Sequence, residues 1–507
     1  MREKIFQKLK LEYSHLGLGK EVLQAQADAL AATGVVTDEN IDTIVSSQAA
    51  FLESIQKAND QRATDAQRKA REEALKEYEA KGEVILVDSG DRVTGNAYVD
   101  DDAEPGIPMI ELMNEVGYDV VTLGNHEFDK GREVLYAMAE ASDFEWVCSN
   151  MADAEGAGFS PYVTTTLEGV DIAFVGVVAT DFNGRPMGGD ASYAGFSFTD
   201  DVTTAFEVGE SLSGKADFVA LLSHMGFDMD RRLAEMSAKY DWIAGGHSHD
   251  VVNEPTNGVH ISQNRKDIRY VTVADIRVKD GAIIGVEYSQ IETVNYAEDE
   301  AVRAMVEAIK ARDPGLNSVE AYVNGRATKD GIANFTCDAL LRYPYDEGFV
   351  PEIVFYHYGG VRLSEIREGD IKRVDILNND PFVSTIYVGE MSLDEVRRFI
   401  LEKYNNGTPE KPDKESHYAY FRSNAPYEIV VGEDGDAVDV RFDLEPRKYR
   451  VAMCNYIAEN YIDKGVVASC LKEVNVTVRE AMLRQMRSFG EAGFTPDNNV
   501  YQIEVNK

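Results

Sequence analysis

EVILVDSGD, residues 83–91, reads as a buried β-strand running into a Gly-Asp turn, and the same design returns four times downstream. The repeats are DVVTLGNHEFD (119–129), DIAFVGVVATDF (171–182), DFVALLSHMG (217–226) and YDWIAGGHSHD (240–250). Each couples a short run of Val, Ile, Leu and Phe to a loop of small and polar residues, which is a strand signature rather than a helical one. Between them, IPMIELMNEVG (107–117) and DRRLAEMSAKY (230–240) carry helical spacing. Strands alternating with helices predict a layered α/β domain.

The loops carry the chemistry. Four of the eight histidines, His126, His224, His247 and His249, stand at three of these strand ends, and Asp91 closes the first. Imidazole, amide oxygen and carboxylate donors suit borderline divalent cations, and a carboxylate bridging two of them makes a hydrolytic centre. One histidine behind an apolar strand is most often a packed residue. Four strands that end in Asp, Asn-His, His and His-x-His present what a site assembled from separate strand tips requires.

Composition narrows the classes of partner. The chain has 507 residues, 44% hydrophobic, enough for a large core and for two or three domains. Its 89 acidic against 51 basic residues leave a formal charge of -38, which repels nucleic acid polymers and anionic membranes. Cys148, Cys337, Cys454 and Cys470 are far apart and form no CxxC pair, so they read as buried free thiols. No apolar run reaches the ~18 residues of a membrane helix. MREKIFQKLKLEYSHLGLG at the start lacks an apolar core and a cleavage site, so the chain as written is expected in the cytoplasm.

Residues 1–82 differ from the rest. Ile41, Ile44, Val45, Leu52 and Ile55 recur at helical spacing behind the capping candidates Thr37 and Asp38, and residues 54–82 continue as a polar helix. The expected division is a helical extension over 1–82, a first α/β domain over 83–296, a linker helix over 297–317 and a second α/β domain over 318–507. The extension is a candidate surface for a protein partner.

The strand-tip motifs resemble those of the calcineurin-like metallophosphoesterases, specifically the 5'-nucleotidase family, from about residue 83 to the C-terminus. HYGGVR (357–362), NFTCDALLR (334–342) and NNDPF (378–382) are similar to motifs of that family's second domain. The resemblance implies an αββα metallophosphoesterase sandwich followed by a substrate-binding domain. It implies that Asp91 is a bridging carboxylate, that Asn125, His224 and His247 complete one metal site, and that His249 serves the other. His126 and Asp129 would be the catalytic pair. Arg326 and Arg362 would hold the substrate phosphate, with Phe382 and Tyr456 stacking on the base. Fork-shaped guanidinium groups suit phosphate, and stacking is worth about 1–3 kcal/mol per base. The implied cofactor is one or two divalent ions, Zn, Mn or Co before Mg or Ca, and the implied substrate a nucleoside 5'-monophosphate or related nucleotide.

The family's first motif, a strand ending in Asp-x-His-Gly, is missing. The nearest string, EYSHLGLG (12–19), has no aspartate two residues before His15. One metal site keeps Asp91, Asn125, His224 and His247; the other keeps only Asp91 and His249, short of the three protein ligands usual for a catalytic cation. His357 stands where the family has Asn, and CNYIAENYIDKG (454–465) replaces a Gly-Gly-Asp-Gly tail, which leaves Asp463 as an approximate counterpart of a ribose-binding aspartate. Two readings stand at this point: a metal-dependent phosphoesterase, or a metal-poor relative that only binds nucleotides or a protein partner.

Overall fold

The computed structural model describes residues 2–12, 20–32, 35–37, 40–46, 83–153, 159–181, 184–186, 190–236, 239–345, 348–406, 420–433, 435–463 and 471–506. The chain divides into two compact units. The first takes residues 1–84 with 292–300. In it, helices α1 (Arg2–Glu12), α2 (Lys20–Ala32) and α3 (Ile41–Ser46) bury Ile5, Leu9, Ala27, Ile41 and Val45 in a small core of their own. Ile41 and Val45 are thus apolar for the reason their spacing suggested. The helix read from residues 54–82, together with Leu52, Ile55 and His15, lies outside the described residues.

The second unit takes residues 85–291 and 301–507. Strands β1 (Val87–Asp88), β2 (Val120–Thr122) and β3 (Glu145–Val147) form a parallel three-stranded sheet in that order. β4 (Met151–Asp153) pairs with β7 (Phe196–Phe198) beside it. The larger sheet holds β5 (Tyr162–Leu167), β6 (Val170–Val178), β8 (Phe218–His224), β9 (Trp242–Gly245), β10 (Val251–Thr256) and β11 (Val259–Asn264). Their order is β10-β11-β9-β8-β6-β5, with β6, β8 and β9 parallel.

Side-chain alternation sorts these strands into layers. Ile172 and Phe174 of β6 and Phe218, Ala220 and Leu222 of β8 face Val120 and Val147 across the gap between the sheets. The intervening residues, Ala173, Val175, Val219 and Leu221, face the helices Asp201–Leu212 and Phe227–Glu235 instead. On the other side Val121, Leu123 and Trp146 pack under the helices Ile107–Val116 and Arg132–Ala141. Because successive strand residues point to opposite faces, a strand buried on both sides must be apolar throughout, which is why these runs show no polar alternation. The order of layers is helix, sheet, sheet, helix.

The sheets meet closely at one glycine. A Cβ on Gly176 of β6 would come within 2.1 Å of the Val147 carbonyl oxygen and 2.6 Å of Thr122 Oγ1. β1, by contrast, is half-buried and pairs only with β2 among the described residues.

Beyond the helix Glu300–Lys310, a second core gathers around a five-stranded sheet of residues 422–423, 353–356, 448–454, 385–392 and 472–477, in that order. Helices Lys329–Arg342, Leu393–Asn406 and Val478–Ser488 contribute to it. The segment after Asp91 reaches into this domain: Ala97 lies in its core, the Ala97 N–H donates to Asn378 Oδ1 at 2.7 Å, and Arg479 Nη1 is 2.6 Å from Asp101 Oδ2. The chain that carries the first strand-tip aspartate therefore also ties the two domains together.

Gly176→Ala is expected to destabilise the protein by about 1–3 kcal/mol, the usual cost of overpacking a closed core. Urea unfolding measures it, and an unchanged midpoint would mean the sheets separate freely at this point.

Candidate functional site

Parallel strands place their C-terminal ends on one side of a sheet, and loops there are the usual seat of binding groups in layered α/β folds. Here the ends of β1, β2, β8 and β9 converge. Asp91 Oδ2 lies 3.0 Å from His224 Nε2, and the ligand atoms of Asp91, His224 and His247 all fall within 4.8 Å of one another. The His224 and His247 rings stand 5.1 Å apart at 67°.

The backbone bends to allow it. Asp91, His247 and His249 have φ of 64°, 73° and 60°. Left-handed conformations in residues other than glycine cost of order 1 kcal/mol each and persist where surrounding bonds over-determine them. Glu127 supplies those bonds for Asp91. It is fully buried, and its carboxylate accepts from the N–H groups of Asp91 at 2.9 Å, Arg92 at 2.8 Å and Gly124 at 2.5 Å. Gln263 does the same for the histidine loop: its Oε1 accepts from Ser248 Oγ at 2.9 Å and Asp250 N at 2.5 Å, and its Nε2 donates to the Gly246 carbonyl at 2.6 Å. Two glycines let the loops touch, since a Cβ on Gly124 would sit 2.2 Å from Asp91 Oδ1 and one on Gly90 would sit 2.4 Å from the Gly124 nitrogen.

Hydrogen bonds decide which nitrogens are available. His224 Nδ1 is 2.6 Å from the Ser89 carbonyl, an acceptor only, so Nδ1 carries a proton and Nε2 presents a lone pair whenever the ring is neutral. That Nε2 is buried without a hydrogen bond although the Asp91 carboxylate is 3.0 Å away. A neutral imidazole and a carboxylate meeting lone pair to lone pair require a cation between them, a proton or a metal. His247 Nδ1 lies 2.9 Å from Asn125 Oδ1, which leaves its Nε2 free in the same sense. Imidazoles whose second nitrogen is tied to a carbonyl or amide oxygen are the ordinary form of a metal ligand. The donor set of one carboxylate and two oriented imidazoles, with an amide oxygen beside them, therefore fits a divalent transition metal.

Charge follows the same pattern. Burial holds the His247 pKa down to about 3, helped by His224, and burial with Arg362 holds His249 down to about 4, so both rings are neutral donors at neutral pH. Burial works against charge on Asp91 as well, but His224 and His126 outweigh it and keep its carboxyl well below the usual range. Burial disfavours charge on His224 too, but Asp91 outweighs it and raises the His224 pKa, and His126 follows the same pattern. Burial disfavours its charge, yet Asp91 and the hydrogen bond to Asp129 raise its pKa to about 9. His126 Nδ1 is 2.8 Å from Asp129 Oδ2, and its Nε2 is 4.0 Å from Asp91 Oδ2.

The second domain reaches the same place. The Phe382 ring centroid is 5.7 Å from that of His126, and the Arg362 guanidinium carbon is 5.5 Å from the Phe382 centroid. The NNDPF turn presents this ring because the buried Asp380 carboxylate accepts from Ser384 N at 3.0 Å and Oγ at 2.7 Å, while Val383 takes a φ of 54°. Tyr456 stacks on His357, centroids 4.5 Å apart and planes 27° apart. Arg326, expected with Arg362 as a phosphate-holding group, pairs here with Glu365. Its side chain is 68% exposed and its Nη2 lies 2.6 Å from Glu365, because the antiparallel register sets Thr328 opposite Glu365. The Asp463 side chain lies outside the described residues.

Two family models match this chain: calcineurin-like phosphoesterase over residues 56–251, and the 5'-nucleotidase C-terminal domain over residues 310–463. The chain is a member of the 5'-nucleotidase family. The trifunctional nucleotide phosphoesterase protein YfkN of Bacillus subtilis is 25% identical over 441 residues, which cover 74% of this chain and 29% of that protein. This chain thus spans less than a third of that relative's length. UshA of Yersinia enterocolitica is 27% identical over 443 residues, 75% of this chain and 78% of that protein. The crystal structure of a 5'-nucleotidase precursor from Thermus thermophilus superposes with a TM-score of 0.70, covering 83% of this chain and 90% of that one at 19% identity, a likeness of fold. The αββα sandwich followed by a second α/β domain is the two-domain arrangement of this family. The phosphoesterase match begins upstream of β1, yet no histidine of this chain follows an aspartate by two positions, so the family's first metal motif is absent from the sequence itself.

Glu127 and Gln263 were not legible as site residues. Glu127 sat inside a quoted motif without a role, and Gln263 lies in a strand with no sequence signal, since only the fold brings it beneath the GGHSHD loop. Asp230 is a further hidden group. It is fully buried, accepts from Ser223 Oγ through Oδ1, leaves Oδ2 without a partner, and burial pushes its pKa up to about 7. A carboxyl whose folded pKa is raised contributes stability that is complete below the ordinary carboxylate range and is lost as pH rises through 7. Asp230→Asn is therefore expected to melt higher than the unaltered protein at pH 8, with a smaller difference at pH 5. Thermal melts across that range check it, and parallel curves for the two proteins would show that Asp230 does not titrate there.

Proposed function

We propose that this protein is a metal-dependent phosphoric ester hydrolase that converts nucleoside 5'-monophosphates or related nucleotides to nucleoside and inorganic phosphate. The observation that carries the reading is the lone-pair encounter of Asp91 Oδ2 and His224 Nε2 at 3.0 Å, with a charged His126 beside it. Asp91, His224 and His247 would hold one divalent transition metal, with the Asn125 oxygen at its edge; Zn, Mn or Co suits these donors best. When bound, the cation lowers the pKa of a coordinated water and polarises a phosphoryl oxygen.

The chain's own groups do the rest. Arg362 meets the phosphate anion next to Phe382, whose exposed ring offers a stacking face for the nucleoside. His126, held by Asp129, carries a proton at neutral pH and presents Nε2 toward the Asp91 carboxylate. As water attacks phosphorus and the bond from phosphorus to the ester oxygen breaks, the proton on Nε2 passes to the departing alkoxide oxygen. General acid assistance of this kind typically contributes 10²–10⁴-fold. The likeness to YfkN, named a trifunctional nucleotide phosphoesterase, supports the nucleotide class of substrate.

The expected outcome is AMP hydrolysis by protein loaded with Mn, Co or Zn, and close to one metal ion per chain. Asp91→Asn and His224→Ala should lose both metal and turnover. His126→Ala should keep its metal and lose about 10²–10⁴-fold in kcat. Metal analysis with phosphate-release kinetics decides it: unaltered turnover in His126→Ala sinks the assigned proton donor, and binding of AMP without turnover at every metal load favours a lapsed binding protein.

A further inference from the structure

Directly after Asp91 stands an arginine that the reaction above does not use. Arg92 is buried, its side chain 3% exposed. Its Nη2 donates to Asp88 Oδ1 at 2.6 Å and to the Thr122 carbonyl at 2.7 Å. Nη1 lies 3.7 Å from Glu127 Oε1, and the guanidinium carbon sits 4.5 Å from the Trp146 ring centroid. Nε and Nη1 are buried without hydrogen-bond partners. Asp88 ends β1, Thr122 ends β2 and Trp146 lies in β3, so one planar group touches all three strands of the smaller sheet at or near their tips.

A buried guanidinium with two orphan donors is costly, and a structure retains it where it does something that an apolar side chain cannot. Three carboxylates stand around it. Asp88 and Glu127 face it directly, and Asp91 is its chain neighbour. Glu127 is the group that clamps the left-handed backbone of Asp91 through three N–H bonds. A fully buried carboxylate needs a partner of opposite charge, and Arg92 is the cation the structure sets beside it. Without Arg92, Glu127 would be an uncompensated buried acid, and the N–H groups it holds would lose their anchor. The half-buried β1 would also lose the side-chain bridge that joins Asp88 to the Thr122 carbonyl of β2.

We propose that Arg92 is a positioning residue of the metal centre: by pairing with Glu127 and Asp88 beneath the strand tips, it fixes the Asp91 carboxylate where it meets the two imidazoles. The proposal rests on the metal-centre reading of Asp91, His224 and His247. Lysine is a poor substitute, because a point-like ammonium cannot reach Asp88, the Thr122 carbonyl and Glu127 while also covering the Trp146 ring as the broader guanidinium does.

The test is metal affinity, measured by calorimetric titration of the full chain with Mn²⁺ and Zn²⁺, alongside thermal melting. Arg92→Met should lose about 10–100-fold in affinity, the usual effect of removing a group that orients a ligand, and Arg92→Lys should recover part of it. Phe399→Leu, in the core of the second domain, reports what loss of stability alone does to metal binding. Folded Arg92→Met that binds metal within twofold of the unaltered protein overturns the proposal, as does a loss no greater than that in Phe399→Leu at equal loss of melting temperature. If Arg92→Met does not fold, Arg92→Lys decides by the same twofold criterion. Metal binding by the unaltered protein is judged first: its absence overturns the metal centre and this proposal together, whereas its presence with insensitive variants overturns this proposal alone.

Discussion

A carboxylate and an imidazole cannot rest lone pair against lone pair inside a protein unless something positive lies between them. The contact of Asp91 with His224 is of that kind, and much of the surrounding structure exists to impose it. Ser89 takes the other imidazole proton, Glu127 holds the Asp91 backbone in a left-handed turn, and glycines at 90 and 124 let two loops approach within a distance that any side chain would block. The strain is local, and the layered core meets its cost. Two sheets buried on both faces give the strand tips little freedom to relax.

The site also shows how one fold sets opposite charge states on similar rings within a few ångströms. His247 and His249 are held neutral chiefly by burial, whereas His126 is held charged by two carboxylates that outweigh burial. A neutral ring offers a lone pair and a charged ring a proton, so what each imidazole can do is written in its neighbours rather than in the residue type. The second domain adds an aromatic face and a guanidinium at the same point, an anion-binding group beside a stacking surface.

The absent Asp-x-His motif shapes the rest. With one well-formed donor cluster among the described residues, the centre relies more on fixed protein charge than a site with two full ligand sets would. Arg92 is one such charge, a buried cation set among acids at the tips of β1 and β2.

The sequence by itself determined the layered α/β class, the strand tips as the seat of chemistry, and the identities of Asp91, Asn125, His126, His224 and His247, because apolar runs and the polar loops that end them are properties of consecutive residues. Short motifs also singled out Phe382 and Arg362 as candidates. Only the tertiary structure decided that Arg326 pairs with Glu365, that Glu127 and Gln263 hold the two loops, and in which direction burial and neighbours push each histidine. Those outcomes depend on groups brought together from distant segments, and on burial, which no local pattern of residues encodes.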